Sequence, residues 1–120
     1  MTLVSENLLF SIERQVEEHL SRHGYRQVKR QYQVQFMGNL YSVYESQEGV
    51  VRLIWDGRQD RLTLRVYRKR PWSMKLVKAL MGRNDDEKLA GETVIPGHEL
   101  HTLKEEQIVE RCLQKIDSLH

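Results

Sequence analysis

The residues with the most evident chemistry in this 120-residue chain are a run of cations that follows a strand-like pattern. From Arg61 to Lys78 there are seven Lys or Arg residues and no Asp or Glu. Guanidinium and ammonium groups bind carboxylates and phosphates, and nearby aromatic rings add stacking surfaces. Since the whole chain is formally only +2, this segment is a local concentration of charge that the composition does not reveal.

Strand alternation gathers part of this run on one side of a sheet. Arg61, Arg65 and Lys69 share a side with Tyr67 between them, because successive side chains of a strand point to opposite faces. Arg52 on the preceding strand is expected to join them, and the charge continues past Pro71. The predicted partner-binding residues are Arg52, Arg61, Arg65, Tyr67, Lys69, Trp72 and Lys75.

Three interpretations of this basic face stay open at the level of sequence. Arg and Tyr suit an acidic protein surface. They also suit nucleic acid, where phosphates bind Arg and bases stack on rings, although the sequence pI of about 8.8 does not favour nucleic acid by composition. The third interpretation is a solvated sheet face whose charge discourages strand pairing. The leading hypothesis is a non-catalytic protein-binding domain, and the alternative is a nucleic-acid-binding module that uses the same face.

A second copy of the chain is a further candidate partner. The segment from Ala79 to His120 contains nine acidic and five basic residues, so its charge is opposite to that of the cationic run. The acidic segment could pair with the basic strand within one molecule or head-to-tail between two.

Histidine and cysteine patterns predict neither a metal site nor catalysis. His19 and His23 are four residues apart on a helix, but two imidazoles alone are a weak signal. His98-Glu99-Leu100-His101 is one residue short of the zinc-protease motif. The sequence has no second cysteine that could bind zinc together with Cys112, and Cys112 itself lies on an apolar helical stripe. We therefore expect no cofactor, no metal and no enzymatic activity.

Helical periodicity marks both ends of the chain. Leu8, Leu9, Ile12, Val16 and Leu20 form an apolar stripe, with Ser5 as the expected N-cap and Gly24 as the C-terminal stop. Near the other end, Thr102 and Glu105 resemble a capping box before the stripe of Val109, Cys112, Leu113, Ile116 and Leu119.

Four strands are predicted between the helices. Alternating residues indicate strands over Tyr32–Phe36, Leu40–Glu45, Val50–Trp55 and Arg61–Arg68, joined by short turns. A short helix from Trp72 to Gly82 follows, and residues 83–93 are expected to form a polar loop before a brief extended Val94-Ile95.

These elements predict an α+β fold. Two amphipathic helices and one apolar sheet face must bury each other, which gives a four-stranded antiparallel meander with the N- and C-terminal helices on one face, in a single domain over residues 1–120. Leu40, Tyr44 and Ile54 are expected to form an apolar patch on the other face.

A wider resemblance rests on three short segments: His23-Gly24-Tyr25, Phe36-Met37-Gly38-Asn39-Leu40 and Trp55-Asp56-Gly57. In pattern, residues 5–68 resemble small bacterial α+β proteins that include toxin-immunity proteins. The resemblance implies a non-catalytic inhibitor that binds its partner by charge and shape. Immunity proteins against nucleases are usually acidic, so the basic strand here implies a partner with an acidic surface.

The expected setting is the cytoplasm. No apolar run approaches the roughly 20 residues that span a bilayer, and no secretory signal is visible at the N-terminus. A lone cysteine suits a reducing compartment.

Overall fold

The computed structural model describes residues 6–34, 38–69 and 87–119, and these form an antiparallel sheet with helices before and after it. The strands are β1 Arg26–Gln33, β2 Asn39–Glu45, β3 Gly49–Asp56, β4 Arg61–Lys69 and β5 Glu87–Pro96. The helices are α1 Glu6–Arg22, α2 Gly97–Thr102 and α3 Glu105–Ser118. Within these ranges no helix combines the length and the apolar character needed to cross a membrane.

The sheet is a meander in which each strand pairs with the next one in sequence. Its order is β1-β2-β3-β4-β5, and all four pairings are antiparallel. In the centre, Leu53 is opposite Leu64 and Arg52 is opposite Arg65, so apolar side chains align with apolar and charged with charged. This register gives the sheet one apolar face and one face on which charged, aromatic and aliphatic residues are mixed.

The core lies between the apolar face and the helices α1 and α3. Buried residues of α1, α3 and the strands form one cluster: Leu9, Ile12, Val16, Leu20, Ile108, Val109, Cys112, Ile116, Leu40, Tyr44, Val51, Leu53, Trp55, Leu62, Leu64, Val66 and Ile95 are among its members. The predicted α+β architecture, with helices from both ends of the chain packed on an antiparallel sheet, is confirmed.

The C-terminus of α1 ends as its sequence indicates. Gly24 has a φ of +84°, the left-handed conformation that glycine adopts without a Cβ clash. The Tyr25 amide then donates to the Leu20 carbonyl at 3.0 Å, and the Tyr25 side chain is buried. This turn directs the chain from α1 into β1.

Polar side chains of α1 and the first two strands form hydrogen bonds with one another on the helix-covered side of the sheet. The Arg30 guanidinium donates from Nε and Nη2 to both oxygens of the buried Glu13 carboxylate, at 2.9 and 3.1 Å. Ser42 donates to the hydroxyl of Tyr44 at 2.9 Å, and burial raises the pKa of Tyr44 to about 12. A buried carboxylate needs such a partner, because losing one member of a buried pair leaves an uncompensated charge.

The sheet has a fifth strand where a loop was expected. Strand β5 pairs with β4 from Lys69 to Arg61, with a bulge after Val66. The prediction of four strands was wrong. It missed β5 because residues 87–93 include charged residues and Gly91 and lack the alternation of apolar and polar residues that is typical of a strand. Only Val94-Ile95 was predicted to be extended.

The first strand and the last helix also begin at other residues than predicted. Strand β1 starts at Arg26 and ends at Gln33, while Val34 is 69% exposed beyond it. Thr102 is not the N-cap of α3, because its hydroxyl donates hydrogen bonds to the carbonyls of His98 and Glu99 in α2. The first helical residue of α3 is instead Glu105, where the Lys104 amide donates to Gln107 Oε1 at 3.0 Å.

The predicted apolar patch is divided between the two faces. Leu40 and Tyr44 are buried in the core on the helix-covered face, whereas Ile54 lies on the opposite face. Ile54 is opposite Tyr41 in register, and strand alternation puts Tyr41 on the other side of β2 from Leu40 and Tyr44. Leu40 and Tyr44 therefore cannot form one surface with Ile54. The predicted N-cap Ser5, the strand residue Phe36 and the helix from Trp72 to Gly82 lie outside the described residues.

The packing of α1 in the core can be tested by making the same Val→Ala substitution at a buried site and at an exposed site. Val16→Ala removes two buried methyl groups from the helix–sheet interface, and we expect it to lower the free energy of unfolding by about 2–3 kcal/mol. Val28→Ala, at a residue that is 47% exposed, is the matched control and should cost about 1 kcal/mol or less. Urea denaturation of both variants measures the difference, and equal losses would contradict the described core.

Candidate functional site

The face of the sheet away from the helices is the candidate docking surface, and we call it the open face. Strand alternation and register assign to it Lys29, Gln31, Tyr41, Val43, Glu45, Val50, Arg52, Ile54, Asp56, Arg61, Thr63, Arg65, Tyr67, Lys69, Leu89, Glu92 and Val94. None of α1, α2 and α3 contributes to it. Val43, Val50 and Thr63 are nevertheless buried on this face, so among the described residues a partner could reach only the exposed and part-exposed side chains around them.

An ion pair occupies the centre of the β4–β5 part of the open face. Arg65 and Glu92 are directly opposite in register, and Arg65 Nε donates to Glu92 Oε2 at 2.6 Å. That hydrogen bond is the largest contribution raising the pKa of Arg65. Both side chains remain part-exposed, at 43% and 36%, so the pair is presented to solvent.

A second ion pair crosses the sheet near the end of β4. Lys69 Nζ donates to Glu45 Oε1 at 2.6 Å, and the lysine side chain is only 17% exposed. The Lys69 amide also donates to the Glu48 carbonyl at 3.0 Å. This lysine therefore joins β4 to the end of β2 and has less charge to offer a partner than the sequence indicates.

Tyr67, one of the two aromatic residues of the predicted set, lies beneath a guanidinium. Arg52 Cζ is 4.5 Å from the centroid of the Tyr67 ring, within the range of a cation–π interaction. Arg52 is also directly opposite Arg65, so three of the predicted residues are neighbours. Arg61 is exposed at the start of β4 and makes no ion pair with the described part of the chain.

The predicted binding residues are thus brought together in part. Arg52, Arg65 and Tyr67 form a contiguous group, Lys69 and Arg61 lie at opposite ends of β4, and the five share the predicted face. Arg65 and Lys69 are each paired with a carboxylate of the same chain, so the face is less cationic than its strand alone indicates. Trp72 and Lys75 lie outside the described residues.

The structure adds residues that sequence reasoning missed. Leu89 and Val94 on β5 are 49% and 40% exposed, and their partners in register on β4 are Tyr67 and Thr63. Together with Ile54 and the Arg65–Glu92 pair, they make the open face a mixture of aliphatic, aromatic and charged groups. No signal in the sequence points to them, because their role depends on β5 pairing with β4.

Cys112 on α3 and the two histidines on α2, His98 and His101, show little sign of reactivity or metal binding. Cys112 is fully buried, and burial raises the pKa of its thiol to about 12, so it is not a ready nucleophile. His98 and His101 are exposed on α2. Among the described residues, neither belongs to a group of three side chains that could hold a metal ion.

The burial of Cys112 gives a direct chemical test. At mildly alkaline pH the native thiol should stay protonated and inaccessible, so we expect Ellman's reagent to label it at least tenfold more slowly than in the unfolded chain. Stopped-flow absorbance with and without concentrated guanidinium chloride compares the two rates. Rapid labelling of the native protein would contradict the described packing of α3.

Comparisons with known proteins found no match to this chain. No protein-family model, no curated protein and no solved structure matches the chain. A function for this protein must therefore be argued from the geometry and charges of the open face and from the helices behind the sheet.

Proposed function

We propose that this protein is a non-catalytic binding domain, inhibitor-like or adaptor-like, that docks an acidic protein surface on its open face. The supporting observation is that exposed Leu89 and Val94 flank the Arg65–Glu92 pair along the edge of the sheet. Arg and aromatic side chains beside aliphatic contacts are the groups that carry most of the binding energy in protein interfaces.

The arrangement of the arginines supports docking because it limits their freedom before a partner arrives. Glu92 holds Arg65, and the Tyr67 ring supports Arg52. Side chains that are already ordered lose less conformational entropy on binding, and that cost opposes association. A partner that meets these groups would find a preformed surface.

The same contacts favour protein over nucleic acid. Binding to nucleic acid derives much of its free energy from Lys and Arg that neutralise phosphates. On the open face, Arg65 and Lys69 are already within 2.6 Å of carboxylates, and exposed aliphatic groups lie between the charges. Nucleic acid would use mainly the cations of the face other than Arg65 and Lys69, whereas a protein surface can also contact the aliphatic groups that lie between the charged pairs.

An acidic partner is favoured by the remaining balance of charge. Among the open-face side chains that the structure describes, five cations face three carboxylates: Lys29, Arg52, Arg61, Arg65 and Lys69 against Glu45, Asp56 and Glu92. Asp56 Oδ1 also accepts hydrogen bonds from the backbone amides of Arg58 and Gln59 in the β3–β4 turn. The excess of cations would steer an acidic surface toward this face and repel a basic one.

Exchanging the members of one ion pair tests the proposal while preserving the pair. In Arg65→Glu with Glu92→Arg, opposite charges still face each other across β4 and β5, and the free energy of unfolding should change by about 1 kcal/mol or less. The guanidinium moves to a different strand, so we expect partner affinity to fall at least tenfold. Immobilised protein is used to retain acidic proteins from the native cell, and calorimetry with the purified partner gives the dissociation constant.

Two further variants sharpen the comparison. Val94→Asp places a charge among the aliphatic groups of the open face and should also lose the partner. Arg14→Glu reverses an exposed cation on α1, away from the open face, and should retain it. Equal retention of the same partner by all variants would overturn the proposal. It would also be overturned by oligonucleotide binding that weakens steeply with salt and is lost in Arg61→Ala.

A further inference from the structure

Three ligating side chains meet where α1 and α3 end. Asp117 Oδ1 is 2.7 Å from His19 Nε2 and 4.0 Å from His23 Nε2. The two imidazole rings are 4.8 Å apart between centroids and inclined at 61°. One ligand atom from each residue can be chosen so that all lie within 4.8 Å of one another. This group lies on the helix layer, behind the sheet, and plays no part in the open face.

The fold fixes all three backbones. His19 is in the last turn of α1, and the His23 amide donates to the Leu20 carbonyl at 2.9 Å in the turn that follows. Leu20 and Ile116, which are neighbours of these residues in the core, are 0% and 1% exposed. The spacing of the three groups therefore follows from the packing of α1 on α3 and does not depend on a mobile loop.

The separations fit a tetrahedral ion. Nitrogen and oxygen ligands lie about 2.0–2.1 Å from Zn²⁺, so two of them in a tetrahedron are roughly 3.3 Å apart. The 2.7 and 4.0 Å distances to Asp117 lie on either side of this value. Tetrahedral binding therefore requires the Asp117 carboxylate to move away from His19 Nε2 and toward His23 Nε2.

We propose that His19, His23 and Asp117 form a binding site for a divalent transition-metal ion of the Zn²⁺ class. Two imidazoles and one carboxylate are ligands that Zn²⁺ accepts, and three protein ligands leave a fourth position for water. His23 and Asp117 are 45% and 56% exposed, so the fourth position faces solvent and the ion can enter. The bound ion would link the end of α1 to the end of α3.

The alternative to a metal site is an ordinary surface contact. His19 and Asp117 can form a hydrogen bond or ion pair without any metal, and a pair with one exposed partner contributes little to stability. The two interpretations differ in their requirement for His23. A metal site needs its imidazole, while the pair between His19 and Asp117 does not.

The first experiment measures affinity on the untagged full-length protein. Zn²⁺ is titrated against a chromophoric chelator, and Co²⁺ absorption in the visible region reports the coordination geometry. We expect one ion per chain, an intense tetrahedral Co²⁺ spectrum and a thermal midpoint that rises with Zn²⁺ concentration, because a ligand bound only by the folded state stabilises it.

Matched variants separate the site from the other histidines. His23→Gln and Asp117→Asn should each weaken Zn²⁺ binding at least tenfold. His98→Gln with His101→Gln removes two exposed imidazoles from α2 and should leave the affinity unchanged. Circular dichroism confirms that each variant is folded. No Zn²⁺ binding by the unmodified protein, or equal binding by His23→Gln, would overturn the proposal.

Discussion

Strict side-chain alternation across β2, β3 and β4 is the constraint on which the whole arrangement depends. Because the period is two residues, a slip of one residue between strands would exchange the core and the open face. Val51 is opposite Val66 and Arg52 is opposite Arg65, so apolar and charged positions alternate in step on neighbouring strands. The apolar stripes of α1 and α3 then have one face on which to pack. The basic and aromatic side chains remain together on the other as a consequence of the same register.

Local pattern predicted the parts of the fold that local physics determines. The stripe of α1, its glycine stop and the alternation of β4 each follow from residues close together in the sequence. Strand β5 could not be predicted in this way, because its charged first half forms a strand by hydrogen bonding to β4. The start of β1 was missed for a related reason. Its residues are mostly exposed, and pairing with β2 holds them extended although they form no apolar stripe.

The candidate site shows the same division between local and long-range information. The sequence predicts which face Arg65 occupies, since strand period decides that. It does not reveal that Glu92, which lies 27 positions further along, will pair with it. A count of cations along one strand therefore overestimated the charge available, and the exposed aliphatic groups on β5 escaped notice. The result is a face on which aliphatic, aromatic and charged groups are mixed, which the cations of β4 alone do not indicate.

The two proposed sites lie on opposite sides of the sheet, so each proposal can be tested without the other. His19, His23 and Asp117 lie on the helix layer, where the ends of α1 and α3 meet, while the docking residues lie across the sheet from it. Coupling between them would require a shared element with two arrangements. The chain from His23 through Gly24 to the buried Tyr25 enters β1, which is at the edge of the sheet furthest from β5. The end of α3 also contacts β4, since Arg68 Nη2 donates to the Leu119 carbonyl at 3.0 Å. A metal ion would stabilise the contact between α1 and α3, so its role would be to hold the helix layer together.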